Sequence, residues 1–141
     1  KGGKDMLSKP QCGWTDFSLG ESCYGLSYIT NIPLEWLDRA IFGLESLLPF
    51  EVRGQCEPGE LVCAVDMTQC SICFKEGMHS RCTVVPINML DFCKLLHADI
   101  SACVDAWTNW NPVYQTTKEQ LQARLDRLQM LIRVKENCFI L

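Results

Sequence analysis

The stretch Cys70-Ser-Ile-Cys-Phe-Lys-Glu-Gly-Met-His-Ser-Arg-Cys82 holds three of the chain's ten cysteines and one of its two histidines. Its reading decides the fold. Thiols that bind a metal or carry redox chemistry would make it a chemical centre, whereas thiols that anchor a wider set of bridges would make it a stapled loop. The full series is Cys12, Cys23, Cys56, Cys63, Cys70, Cys73, Cys82, Cys93, Cys103 and Cys138. An even count dispersed over almost the whole chain reads as a disulfide framework that uses all ten, formed in an oxidising compartment. The segment then belongs to a longer series and is not a site of its own.

Zinc is the sharper alternative. The ion prefers four thiolate or imidazole ligands in a tetrahedron, often supplied as two close pairs. Cys70-x2-Cys73 and His79-x2-Cys82 offer two such pairs, and the segment resembles a zinc knuckle, whose pattern is Cys-x2-Cys-x4-His-x4-Cys, down to Phe74 and Gly77. Both later intervals depart from that pattern, and the remaining cysteines would stay unexplained in a reducing compartment. A thioredoxin-type dithiol at Cys70-Ser-Ile-Cys73 would need a strand leading into a helix N-terminus, where the dipole lowers the thiol pKa. No βαβ pattern surrounds it. The framework is therefore preferred, no metal or cofactor is expected, and Cys70, Cys73, His79 and Cys82 form the lower-ranked zinc set.

On either side of the cysteine-dense middle the apolar residues recur with a helical period. Asn31-Ile-Pro33 reads as a helix start, since proline in the first turn gives up only an amide that has no partner there. Leu34, Leu37, Ile41, Leu44 and Leu48 follow at spacings of three and four, up to Pro49. Met89, Cys93, Leu96, Ile100, Cys103 and Trp107 repeat the pattern, as do Leu121, Leu125, Leu128 and Ile132 after a loose capping box at Thr116 or Thr117. Helices are expected over approximately 33–48, 87–108 and 116–137. Residues 1–30 show no clean period and read as an irregular N-terminal arm, and 50–86 as a cysteine-rich loop region. The expected fold is mainly α: one disulfide-rich domain, 1–141, in which about three amphipathic helices are stapled together.

Composition narrows the function classes. The chain has 141 residues, 48% hydrophobic and 21% charged, with net charge -4 and no run of one sign. Nucleic-acid binding is not expected, because it needs clustered Lys and Arg. No apolar run reaches the length that crosses a bilayer. Catalytic signatures are absent: His79 and His97 are the only histidines, and no Gly-x-Ser-x-Gly, His-Glu-x-x-His or phosphate loop occurs. An enzyme is not expected. The chain begins Lys1-Gly-Gly-Lys4, which reads as the product of signal-peptide removal or excision. Cys138-Phe-Ile-Leu141 matches the prenylation pattern, but Cys138 serves better as the tenth member of the framework.

Trp107, Trp110 and Tyr114, clustered beside Asn111-Pro112, are the aromatic residues suited to a binding surface. The leading functional expectation is a secreted or cell-surface recognition module, a ligand, effector or receptor ectodomain, that binds another protein. A second is an extracellular carrier of an apolar small molecule, favoured by the wide apolar face of Leu128, Met130, Leu131, Ile132 and Val134, which would also suit a homodimer. A third is an intracellular zinc-dependent interaction module.

Overall fold

The middle of the chain is a β-sheet, which overturns the expectation of a helical bundle. The computed structural model describes residues 5–140; the Lys1-Gly-Gly-Lys4 start and the last residue of the prenylation-like ending lie outside them. Six strands in two antiparallel sheets and four helices make a mixed α/β fold, 41% helical and 29% strand. β1 (Trp14–Leu19) and β2 (Ser22–Ser27) form an N-terminal hairpin, and four strands occupy the region expected to be a loop: β3 (Phe50–Gln55), β4 (Glu60–Val65), β5 (Cys70–Glu76) and β6 (His79–Val85), a meander in the order β3-β4-β5-β6.

The physical reason lies in the alternation of side chains across a strand. On β3, Phe50, Val52 and Gly54 are buried, with Leu61, Cys63 and Val65 on β4 and Cys70 and Ile72 on β5. These positions face one another in register, Val52 opposite Cys63 and Cys63 opposite Ile72. Cysteine fills inward positions here as a small apolar residue. Counting it as a bridge anchor hid the period of two.

The remaining elements cover the inner face of the meander. The β1-β2 hairpin lies against it through Leu26, which fills the space over Gly54, and Tyr24, which stacks on Phe74 at 5.0 Å. The expected irregular arm is therefore ordered from Trp14 onward as a hairpin. Helix α1 (Ile32–Ser46) starts with Pro33 in its first turn, as the sequence suggested, and ends at Leu47 in the left-handed conformation, φ 58°. Asn31 does not cap it; its amide donates instead to Thr116 Oγ1 at 3.1 Å, tying the helix start to the far end of the chain.

The long helix expected over 87–108 is two helices, α2 (Met89–Ser101) and α3 (Val104–Asn109). Cys103, at φ -148°, leaves the helical region and redirects the chain. Helix α4 (Lys118–Lys135) opens on a full capping box: Gln120 N–H donates to Thr117 Oγ1, and Thr117 N–H donates to Gln120 Oε1. A short 3-10 turn, Glu136–Phe139, follows it. Helix α4 packs on both α1 and α2. One hydrophobic core joins Phe17, Trp36, Phe50, Phe92, Trp107 and Leu128.

Candidate functional site

Strand parity separates the residues of the zinc set. Cys70 and Cys73 are three apart on β5, so their side chains leave the sheet on opposite faces. Cys70 is buried and its thiol donates to Ile87 O at 3.3 Å, while Cys73 lies on the outer face opposite Cys82 of β6. His79 stands at the start of β6 opposite Glu76, and Gly77, at φ 61°, makes the tight turn between them. Cys70, Cys73, His79 and Cys82 do not converge, and no cluster of three or more metal-ligating side chains occurs among the described residues.

One pair of the expected framework of bridges is shown. Cys73 and Cys82 stand at disulfide distance. The other eight cysteines have no partner at bonding distance. Cys63, Cys70 and Cys93 are buried in the core, where a thiolate is unfavourable. The Cys63 thiol is pushed up by its hydrogen bond with Cys70 and by burial, and the Cys93 thiol is pushed up to about 12 chiefly by burial. Cys56, half-buried, is pushed up to about 11 by burial and by the charge of Glu60. Cys103 donates to Asp99 O at 3.5 Å; Cys12, Cys23 and Cys138 are exposed and stand apart.

The aromatic set is mostly interior. Trp107 is fully buried and Trp110 is 6% exposed, their rings 5.2 Å apart edge to face. Neither indole N–H meets an acceptor among the described residues. Tyr114 is 39% exposed, but its hydroxyl donates to Ile29 O at 2.8 Å, and Asn111 clasps the same loop by donating to Tyr28 O at 2.6 Å. Asn111 and Tyr114 fasten the α3-α4 connection to the segment that follows β2. Leu128, Leu131 and Ile132 of the wide apolar face are buried, while Met130 and Val134 are exposed.

A different feature stands out once the register is followed across the meander. Hydrogen-bonded and non-hydrogen-bonded pairs alternate in an antiparallel ladder. The carbonyls of Glu51 and Arg53 point away from β4, because both accept hydrogen bonds from side chains of α1: Trp36 Nε1 donates to Arg53 O at 2.8 Å and Arg39 Nε to Glu51 O at 3.3 Å. Arg53 pairs with Val62, Val62 with Cys73 and Cys73 with Cys82. Carrying the alternation over three ladders makes Cys73 and Cys82 a non-hydrogen-bonded pair, in agreement with their Cα separation of 4.2 Å. The N–H and C=O groups of Ser80, Cys82 and Val84 therefore point outward from β6. They make no hydrogen bond among the described residues.

The two edges of the sheet are thus treated differently. Helix α1 closes β3, and in the smaller sheet Ser8 and Met6 pair with Asp16 and Ser18 and close β1. Strand β6 is open, with Ser80, Arg81, Cys82 and Val84 all exposed. The outer face beside it is open too: Arg53, Val62, Cys73 and Cys82 form one row across it, and none is fully buried. Arg81 makes no ion pair among the described residues, and its diagonal neighbour Glu76 leaves it uncompensated. Sequence reasoning missed this edge because it turns on which strand ends the sheet. The alternation from Phe50 to Val85 was the available signal.

No protein-family model, curated protein or solved structure matches the chain.

Proposed function

We propose that the chain is a non-enzymatic recognition domain that takes an extended segment of another protein onto the free edge of β6. The observation that carries this reading is the contrast between the edges: α1 spends two side chains on closing β3, and nothing closes Ser80, Cys82 and Val84. An unpaired edge is a ready template for a further strand, and main-chain hydrogen bonds supply the affinity in such complexes.

The occupant is a strand with an acidic residue opposite Arg81, and not a second copy of this chain. Antiparallel self-pairing centred on Cys82 would set Arg81 opposite Thr83 of the copy and diagonal to the copy's own Arg81, a like-charge contact on one face. A carboxylate in a partner strand would instead meet a cation that has no ion pair. The carrier reading has less support, since the face it needs is occupied by α1 and α2.

Secretion rested on the expected framework of bridges. Cys73 and Cys82 stand in register at disulfide distance, while Cys63 and Cys70 meet in the core as hydrogen-bonded thiols, an arrangement that suits a reducing compartment. The extracellular alternative requires the eight to find partners.

The test uses a displayed library of random decapeptides selected on the full chain, and the variant Val84→Pro. Proline removes an outward amide that has no bond within the sheet, so the fold measured by circular dichroism stays intact. Selected peptides are expected to alternate apolar and polar residues, to carry Asp or Glu, and to bind the variant at least tenfold more weakly. Peptides that bind both proteins equally would exclude strand addition at β6.

A further inference from the structure

We propose that Cys73 and Cys82 form a reversible dithiol–disulfide centre that exchanges with small thiols and disulfides of the glutathione class. The proposal does not depend on what docks at β6. It rests on placement. The two cysteines are directly opposite on the outer face of the sheet, at the centre of a seven-pair ladder that runs from Cys70 opposite Val85 to Glu76 opposite His79. Backbone pairing holds them together whether or not their sulfurs are joined, so opening and closing the bond requires no rearrangement of the fold. The bond also lies where solvent reaches it, and exposed disulfides are the labile and regulatory ones.

Exposure sets the order of attack. Cys82 sits on the open edge strand and is exposed, while Cys73 is half-buried between Val62 and Cys82. In the oxidising direction the Cys82 thiol loses its proton and its thiolate attacks one sulfur of a small disulfide RSSR. A bond forms between Cys82 and that sulfur, the RS–SR bond breaks, and the departing thiolate takes up a proton as RSH. The Cys73 thiolate then attacks Cys82 Sγ, forming the Cys73–Cys82 bond and expelling the second RS⁻, which is protonated in turn. Two electrons pass from the pair to RSSR, which is reduced to two RSH. The reverse sequence, entered by RS⁻ at Cys82, restores both thiols.

The other thiols do not compete. Cys12, Cys23 and Cys138 are exposed and Cys56 and Cys103 half-buried, but none has a resolving thiol at bonding distance, so exchange there stops at the mixed disulfide. Cys63, Cys70 and Cys93 are shielded in the core.

The experiment equilibrates the full chain in glutathione buffers of graded ratio, quenches with acid, alkylates, and reads the peptides containing Cys73 and Cys82 by mass spectrometry. The bonded fraction is expected to rise from about one tenth to about nine tenths over a roughly hundredfold range of the disulfide to squared-thiol ratio, as a two-electron equilibrium requires. Cys73→Ser is expected to trap a glutathione adduct on Cys82, Cys82→Ser to form at least tenfold less adduct on Cys73, and Cys23→Ser to leave the titration unchanged. Each variant is checked for an unchanged circular dichroism spectrum. A bond that stays closed or stays open over the whole range overturns the proposal, and equal adduct formation in the Cys73 and Cys82 variants overturns the order of attack.

Discussion

The indole of Trp36 donates to the carbonyl oxygen of Arg53 at 2.8 Å, so a helix side chain occupies the place of a neighbouring strand. Together with Arg39 on Glu51 it occupies two outward carbonyls of β3. Trp36→Phe keeps an aromatic ring against Phe17, the native rings being 5.6 Å apart edge to face, and removes the donor together with part of the buried ring. The variant should lose about 1–3 kcal/mol, from a partly buried acceptor left unpaired and from the space the smaller ring leaves. Urea unfolding measures it, and a loss below a few tenths would mean that water replaces the indole without cost.

Gly43 marks the closest approach of α1 to the sheet, since a Cβ built there would collide with the ring of Phe50. Helix propensity alone favours Gly43→Ala by up to about 1 kcal/mol. Overpacking costs about 1–3 kcal/mol when the neighbour is held in a core, and Phe50 is held by Phe92 in an edge-to-face contact at 5.8 Å. A net loss of stability is expected in thermal unfolding. A raised melting temperature would show that Phe50 can move aside.

Asp99 joins the N-terminal segment to α2 by accepting from Leu7 N–H at 2.9 Å. Burial raises its pKa above the usual carboxylate value, and the nearby Asp5 acts in the same direction, against the lowering effect of the Leu7 and Met6 amides. A raised folded pKa means that the native state binds the proton more tightly than the unfolded chain. The stability it contributes is present below the unfolded value of about 3.9 and is lost as pH rises through the folded one. Asp99→Asn keeps an acceptor and removes the titration. Its stability should fall less than that of the native chain as pH rises through the carboxylate range, and parallel curves from chemical denaturation would exclude this assignment.

Cysteine accounting gives a direct check of the sulfur geometry. Alkylation of the air-oxidised chain under denaturing conditions without reductant should modify the eight thiols that form no bridge, and reduction should add Cys73 and Cys82. Mass spectrometry reads the number. A chain with no reactive thiol would restore the five-bridge framework and an oxidising compartment with it.

The helices were legible in the sequence because a stripe of apolar residues at spacings of three and four is a local property. Pro33 and the loose capping box at Thr116 or Thr117 marked where α1 and α4 begin, and the structure places the cap at Thr117. The break between α2 and α3 was not legible: the stripe from Met89 to Trp107 runs through Cys103 without interruption, and only packing decides that the chain turns there. The strands from Phe50 to Val85 were legible in principle, through Phe50, Val52, Leu61, Cys63, Val65, Cys70 and Ile72. Reading the cysteines as bridge anchors and not as inward-facing residues turned them into a loop.

The sequence by itself determined the apolar stripes from which α1, α2 and α4 form, since each follows from spacing along one segment. Tertiary structure alone decided which thiols meet. Cys70 and Cys73 are near in sequence yet leave the sheet on opposite faces, because side chains alternate along a strand, while Cys73 and Cys82 are nine residues apart and share one face, because a tight turn at Gly77 sets their register. The same register leaves β6 open at the edge of the sheet, a property that no single segment carries.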